Sequence, residues 1–511
     1  MSMSRLLMLG GAALVLAGTA RAQTAPVVHL AQGDLSGVQA DGVTVYKGIH
    51  YAAAPEGRLR WAPPAPAPKW SGVRAATAYG PACPQPHMMW NPPEPQGDAE
   101  DCLALNVWTP ASVANAKLPV MVWIHGGAYV GGSGSAGLFD GNSLAKRGVV
   151  VVTLNYRLGT LGFMAHPALT KEAGTSGNYG IMDQIAALKW VQANIAQFGG
   201  DPSNVTIFGE SAGGGSVMLL TVAPQARGLF QKAIAESGAA LPVQPKGWAR
   251  PDAVVTLAQA EAAGIAFQQK LGASNIADMR AMSVDAIVNA DAPQSARWPI
   301  ADGTVVPGDV TSLYRAGRQN HVAILLGWNS AEGMLFARPG TRADYEKTVR
   351  ASWGPHADRM LALYPAADDA AVLGANALSF GDIGFGWPDW SLAEAQRAQG
   401  KPIYVYHFDQ PPPRAPGFPF QGKGAFHADE MAFVFGNHPA DWPVGDLAVS
   451  QAMQGYWTNF AKTGNPNGAG LPAWRPYAGN GSVQWFQNGA ASPGPVAREA
   501  ELKALDQLVG D

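Results

Sequence analysis

Cysteine is nearly missing from this 511-residue chain, which has only Cys83 and Cys102. Two thiols exclude a scaffold built from several disulfides, and by themselves they make a poor metal site. Charge is scarce as well: 14% of residues are charged, and the formal net charge is −3. There is no block of like charge. Nucleic acid and acidic membrane surfaces are therefore poor candidate partners. After the N-terminus no uninterrupted apolar stretch reaches membrane length. Glycine (61) and proline (40) are abundant, but neither recurs with a period, which excludes collagen-like and repeat architectures.

Apolar residues make up 47% of the chain, ample for a large core. Length alone suggests two to four domains. The N-terminus has the parts of a cleaved signal peptide: Arg5, a short apolar run over 6–18, and Ala20-Arg21-Ala22 before Gln23. The apolar run is too short to span a bilayer comfortably. No cysteine follows it, so a lipid anchor is not expected. The expectation is an exported protein, periplasmic or secreted, without a membrane anchor. Oxidising conditions then favour a Cys83–Cys102 disulfide, worth about 3 kcal/mol on the chain-entropy model.

Four runs are apolar throughout and do not alternate: 120–124, 149–154, 205–208 and 322–326. Such runs suit strands covered on both faces. Between them, 183–198 places Ile185, Leu188, Val191 and Ile195 on one helical face. The alternation predicts an α/β fold with a mostly parallel sheet. Weaker helical patterns at 251–271 and 345–364 are expected to be insertions. The proline-rich 410–419 is expected to be a surface loop.

The run 205–208 stops at Gly209-Glu210-Ser211-Ala212-Gly213, and a second apolar run follows. Strand, G-x-S-x-G and helix make a nucleophile elbow, in which the serine projects from a sharp turn at a helix N-terminus. A serine needs a base, and the base needs an orienting acid. In this arrangement the chain order is serine, acid, histidine. Glu332 follows the apolar run 322–326. Asp302 is a rival, although Gly303 beside it suggests a turn. His356, His407, His427 and His438 lie beyond Glu332. His407 sits in a strand-like segment and reads as a hydrogen-bonded structural residue. His427 and His438 both lie in loops, and spacing favours His427 without excluding His438. Upstream, His125-Gly126-Gly127-Ala128 leaves a buried strand where backbone N–H groups can meet a developing oxyanion.

In several long segments the sequence resembles the type-B carboxylesterases, the α/β-hydrolase group that includes cholinesterases and bacterial para-nitrobenzyl esterases. The segments include "EDCLALNVWTP", "WIHGGAYVGGS", "NYRLGTLGF", "NVTIFGESAGG" and "FHADEMAFVFG". The resemblance implies one catalytic domain over 23–511 behind a signal peptide at 1–22. It implies Ser211, Glu332 and His427 as catalytic, with Gly127, Ala128 and Ala212 as oxyanion donors. It pairs Cys83 with Cys102, Arg60 with Glu100 and Arg157 with Asp183. It places Glu210 and Phe336 in the substrate pocket, Trp90 in the pocket wall, and Ser237 near the acid. The residues that follow Glu332 as aromatics in cholinesterases are Leu335 and Phe336, so one aromatic is missing and choline esters are disfavoured. Trp248, Trp298, Phe385 and Trp387 are further candidates for the pocket.

The expected activity is hydrolysis of a small carboxylic ester through an acyl-enzyme, with no metal or organic cofactor. The base must be neutral, so activity should fall in acid. A binding protein on the same fold and a serine peptidase are the alternatives. The complete Ser-Glu-His set favours an enzyme over the first.

Overall fold

The computed structural model describes residues 26–88, 91–110, 114–238, 254–418, 420–479 and 482–510. The expected signal peptide, Trp90 and Trp248 lie outside them. The apolar runs pair edge to edge in the middle of an eleven-stranded sheet. Val150–Leu154, Leu118–Ile124, Gly200–Glu210, Lys232–Glu236, Ala323–Asn329, Ile403–Asp409 and Val483–Gln487 lie side by side in that order. Every one of these pairings is parallel. Antiparallel strands flank them: Ala104–Thr109, Val43–His50 and Val38–Ala40 at one edge, Ala490–Gly494 at the other. A small separate sheet joins Val27–Leu30, Gly33–Ser36 and Val73–Ala75.

The central strands are apolar throughout because both faces of the sheet are covered. Val120, Val122 and Ile124 enter one core, while Met121 and Trp123 enter the other. Helices Tyr179–Asn194 and Ala212–Val222 contribute to the first core, and Val444–Thr463 to the second. Helix Tyr179–Asn194 is buried well beyond the one face its periodicity predicts. Its Asp183 is fully buried and holds Arg157 through contacts of 2.7 and 2.8 Å. Its Gln184 donates to Ser216 Oγ at 3.0 Å, which ties it to Ala212–Val222.

The expected later helices are present with shifted bounds. Leu257–Lys270 starts at a capping box formed by Thr256 and Gln259. The pattern at 345–364 is two helices, Arg342–Trp353 and Ala357–Leu363. Pro355 lies between them, where a helix interior would lose a hydrogen bond and clash with the ring. Cys83 and Cys102 form a disulfide, and Arg60 pairs with Glu100 at 2.6 Å. Among the described residues, no helix is long and apolar enough to cross a membrane.

Candidate active site

Ser211 stands between strand Gly200–Glu210 and helix Ala212–Val222 with φ 56° and ψ −123°. A non-glycine residue in so sparse a region costs about 1–3 kcal/mol and persists only where its surroundings fix it. They do so here. Ser211 N–H donates to Glu236 O at 2.8 Å, and Gly215 N–H donates to Ser211 O at 2.8 Å. The glycines on either side allow the close approach. A Cβ on Gly213 would lie 2.0 Å from Ile124 O, and one on Gly209 would lie 2.6 Å from the same oxygen. A Cβ on Gly214 would lie 2.8 Å from Glu236 O.

The segment 125–128 leaves strand Leu118–Ile124 directly beside this turn. A Cβ on Gly126 would come within 3.2 Å of Ser211 Cβ. Gly127, Ala128 and Tyr129 all have positive φ, at 104°, 53° and 58°. His125 anchors the loop. Its ring stacks on Tyr156 at 4.4 Å, and Tyr156 OH donates to His125 O at 2.9 Å. Burial pushes the His125 pKa down to about 4, so the ring is neutral. Among the described residues, the N–H groups of Gly127 and Ala128 have no protein acceptor. Ala212 is the first residue of its helix, where an N–H has no intrahelical partner.

Glu332 opens a turn, Glu332–Leu335, just beyond strand Ala323–Asn329. Its carboxylate is buried. Oε1 accepts Asn329 N–H at 2.6 Å, and Oε2 lies 2.7 Å from His427 Nδ1. The other imidazole nitrogen, Nε2, lies 3.2 Å from Glu210 Oε1. The loop that bears His427 is tied to the acid's loop. Ala331 N–H donates to Ala425 O at 2.8 Å, and Asn329 Nδ2 donates to Phe426 O at 2.7 Å.

Sequence reasoning missed two members of the site. Glu236 and Glu430 are fully buried beside Glu210 and Glu332. Burial first, then Glu332 and Glu236, raises the Glu210 pKa well above the usual carboxylate range. Burial raises Glu236 to about 8, opposed by a 2.9 Å hydrogen bond from Trp457 Nε1. Burial, Glu210, Glu236 and Glu332 raise Glu430 in the same direction. Glu430 lies three residues beyond His427 in the same turn, and Glu236 pairs with Glu210 across the parallel strands. The first spacing is visible in the sequence, but the second requires the sheet register.

Asp302 is a turn residue: it accepts the N–H groups of Val305 and Val306 at 3.0 and 2.8 Å and the Thr175 hydroxyl at 2.7 Å. His438 is half-buried and stacks on Trp442, away from Glu332. His407 is buried against Trp485 and Trp328, and burial pushes its pKa down to about 3. A hydrogen bond to the Trp328 backbone holds the ring, while Nδ1 has no partner among the described residues. Ser237 also departs from expectation. Its Oγ is buried without a partner among the described residues, so it gives Glu332 no side-chain hydrogen bond. The N–H of Ser237 instead donates to Gly327 O at 2.8 Å.

Phe336 and Phe385 wall the imidazole, with ring centroids 5.3 and 4.5 Å from His427. Trp298 packs edge-on to Tyr129. Trp387 does not join the wall: it is buried and donates from Nε1 to Asp506 at 3.2 Å.

The "Carboxylesterase family" model matches residues 24–493. The chain is 38% identical over 471 residues to the para-nitrobenzyl esterase of Bacillus subtilis, covering 87% of this chain and 91% of that protein. It is 36% identical over 484 residues to the fumonisin B1 esterase of Sphingopyxis macrogoltabida, covering 90% and 86%. A solved thermophilic PNB esterase superposes with a TM-score of 0.81 at 34% identity, covering 94% of this chain and all of that one. With its parallel sheet, strand–serine–helix turn and buried Glu332–His427 pair, the chain belongs to the carboxylesterase family and is a carboxylic ester hydrolase of the α/β-hydrolase fold.

Proposed function

We propose that hydrolysis proceeds through an acyl-enzyme on Ser211. His427 takes the Ser211 proton as Oγ attacks the ester carbonyl. Glu332 holds Nδ1–H and stabilises the imidazolium. The N–H groups of Gly127, Ala128 and Ala212 receive the oxyanion. Collapse of the tetrahedral intermediate breaks the ester C–O bond, and His427 gives its proton to the leaving alcohol. Water then repeats the sequence on the acyl-enzyme, releasing the acid and restoring Ser211. The observation that carries this reading is the 2.7 Å contact between Glu332 and His427, brought together from 95 residues apart next to Glu210, which immediately precedes the strained serine. Ser211→Ala tests it on p-nitrophenyl acetate. Parent-level turnover by the variant would rule out Ser211 as nucleophile.

The relatives' names, para-nitrobenzyl esterase and fumonisin B1 esterase, point to small organic esters rather than peptides. Phe336 lines the proposed pocket beside His427, and Glu210, 3.2 Å from His427 Nε2, is proposed as a second lining residue. Trp90 is proposed as a further wall residue. No metal or organic cofactor is needed for any step.

Export is the second part of the proposal. Residues 1–22 act as the signal peptide, leaving 23–511 as the catalytic domain in the periplasm or medium. The Cys83–Cys102 disulfide suits an oxidising compartment. Intact mass of the protein purified from its source tests this, with Gln23 expected as the first residue.

A further inference from the structure

The aromatic wall beside His427 is held from a distance. Helix Val372–Gly381 lies against the Glu332 turn with little space between them: a Cβ on Gly333 would sit 1.9 Å from Ala377 O. The chain then makes a π-helical turn, Asp382–Gly386, and continues as helix Trp387–Ala398. Pro388 accounts for the wide turn. It has no N–H for Gly384 O, and its ring would strike that carbonyl in a regular helix. On its inner side the turn carries Phe385, 4.5 Å from the His427 ring. Phe380, just before the turn, stacks parallel on Phe336 at 4.5 Å.

On its other side the turn is anchored to the C-terminal segment. The buried Asp382 carboxylate accepts Arg498 Nε–H on both oxygens, at 2.8 and 3.0 Å, and Tyr364 OH at 2.9 Å. Arg498 has φ 52° and leads directly into helix Glu499–Gly510. The same helix places Leu502 3.4 Å from where a Gly386 Cβ would stand, and Asp506 accepts Trp387 Nε1–H. Arg498 and this helix lie beyond the residues that the family model matches.

We propose that Arg498 is a positioning residue for ester hydrolysis: through Asp382 it fixes the π-helical turn, and the turn holds Phe385 against His427. Removing the guanidinium leaves a buried carboxylate with a single donor, Tyr364. The turn then relaxes toward water and the imidazole loses its packing partner. This rests on the reading of His427 as base. A salt bridge that only stabilises the fold would lower melting temperature without changing turnover at intact sites.

The test compares kcat and KM on p-nitrophenyl acetate for Arg498→Ala, Arg498→Lys, Asp382→Asn, Phe385→Leu and the double variant Arg498→Ala/Phe385→Leu. Rates are divided by the sites that a fluorophosphonate labels at Ser211, so unfolded protein does not count. Asp382→Asn, nearly isosteric, is the variant best able to fold. Arg498→Ala and Asp382→Asn are expected to lower kcat per labelled site at least tenfold, with KM changed less than threefold. Arg498→Lys is expected to recover most of the loss, and the double variant to be no slower than Phe385→Leu. Unchanged kcat per labelled site, or losses that multiply in the double variant, would overturn the proposal. His427→Gln, run alongside, separates the two readings. If it is inactive while Arg498→Ala turns over normally, only the positioning role falls. If it turns over normally, the assignment of the base falls.

Discussion

His427 Nδ1 sits 2.7 Å from Glu332 Oε2 while its Nε2 faces Glu210 Oε1 at 3.2 Å, so one imidazole lies between two buried carboxyl groups. In the proposed mechanism, the first of these fixes the tautomer that His427 needs as general base. Glu332→Gln keeps the shape and removes the charge that stabilises the imidazolium. It is expected to lower kcat by roughly 10³–10⁴-fold with little change in KM. Steady-state kinetics on p-nitrophenyl acetate measures this, and a loss below tenfold would move the acid role elsewhere.

Two glycines should respond oppositely to one methyl group. A Cβ on Gly213 would overlap Ile124 O at 2.0 Å, so Gly213→Ala is expected to cost more than about 3 kcal/mol and most activity. Gly374 lies within a helix with nothing within 4 Å of its Cβ position. Gly374→Ala is expected to stabilise by about 0.5–1 kcal/mol. Urea midpoints for the pair check both signs.

The carboxyl group of Glu236 sets a pH dependence of stability. Its folded pKa of about 8 lies above the 4.5 of an exposed glutamate. The folded state therefore holds a proton that the unfolded state has released between those values. This stabilising effect is full below pH 4.5 and is lost as pH rises through 8. Glu236→Gln mimics the protonated form and still accepts from Trp457. Its melting temperature relative to the parent should climb between pH 5 and pH 9. A constant difference would mean that Glu236 is an ordinary carboxylate.

Removing the disulfide should act on the unfolded chain. Cys83 and Cys102 close a loop across 19 positions, which predicts about 3 kcal/mol. Cys83→Ser/Cys102→Ser is expected to lower the unfolding free energy from urea denaturation by that amount, while kcat at 25 °C changes less than twofold. Because neither cysteine is among the proposed catalytic residues, a large loss of kcat in the folded protein would count against this account.

Much of this molecule was legible as local chemistry. The strand that runs into Glu210, the serine turn and the helix after it follow from β-branched residues, glycines and a second apolar run in fixed order. Glu332 could be named because it follows an apolar run, whereas His427 was preferred over His438 through the family resemblance more than through spacing. Pro355, which splits the 345–364 pattern into two helices, was equally visible there, although periodicity alone overrode it. Other features depend on neighbours that no window of sequence contains. The Glu236 carboxyl meets Glu210 only because their strands pair in parallel register. Ser237, expected near the acid, donates its backbone N–H to Gly327 O on the next strand, and its hydroxyl has no partner among the described residues. Trp387 and Phe385 are two positions apart in one aromatic-rich segment. The π-helical turn sends one to the C-terminal helix and the other to His427. The sequence by itself determined which side chains could react, because hydroxyl, imidazole and carboxyl chemistry belongs to the residue. Which of them share a buried site, and which protons that site keeps, was decided by tertiary packing. Desolvation and the charges of distant segments act only once the chain has brought them together.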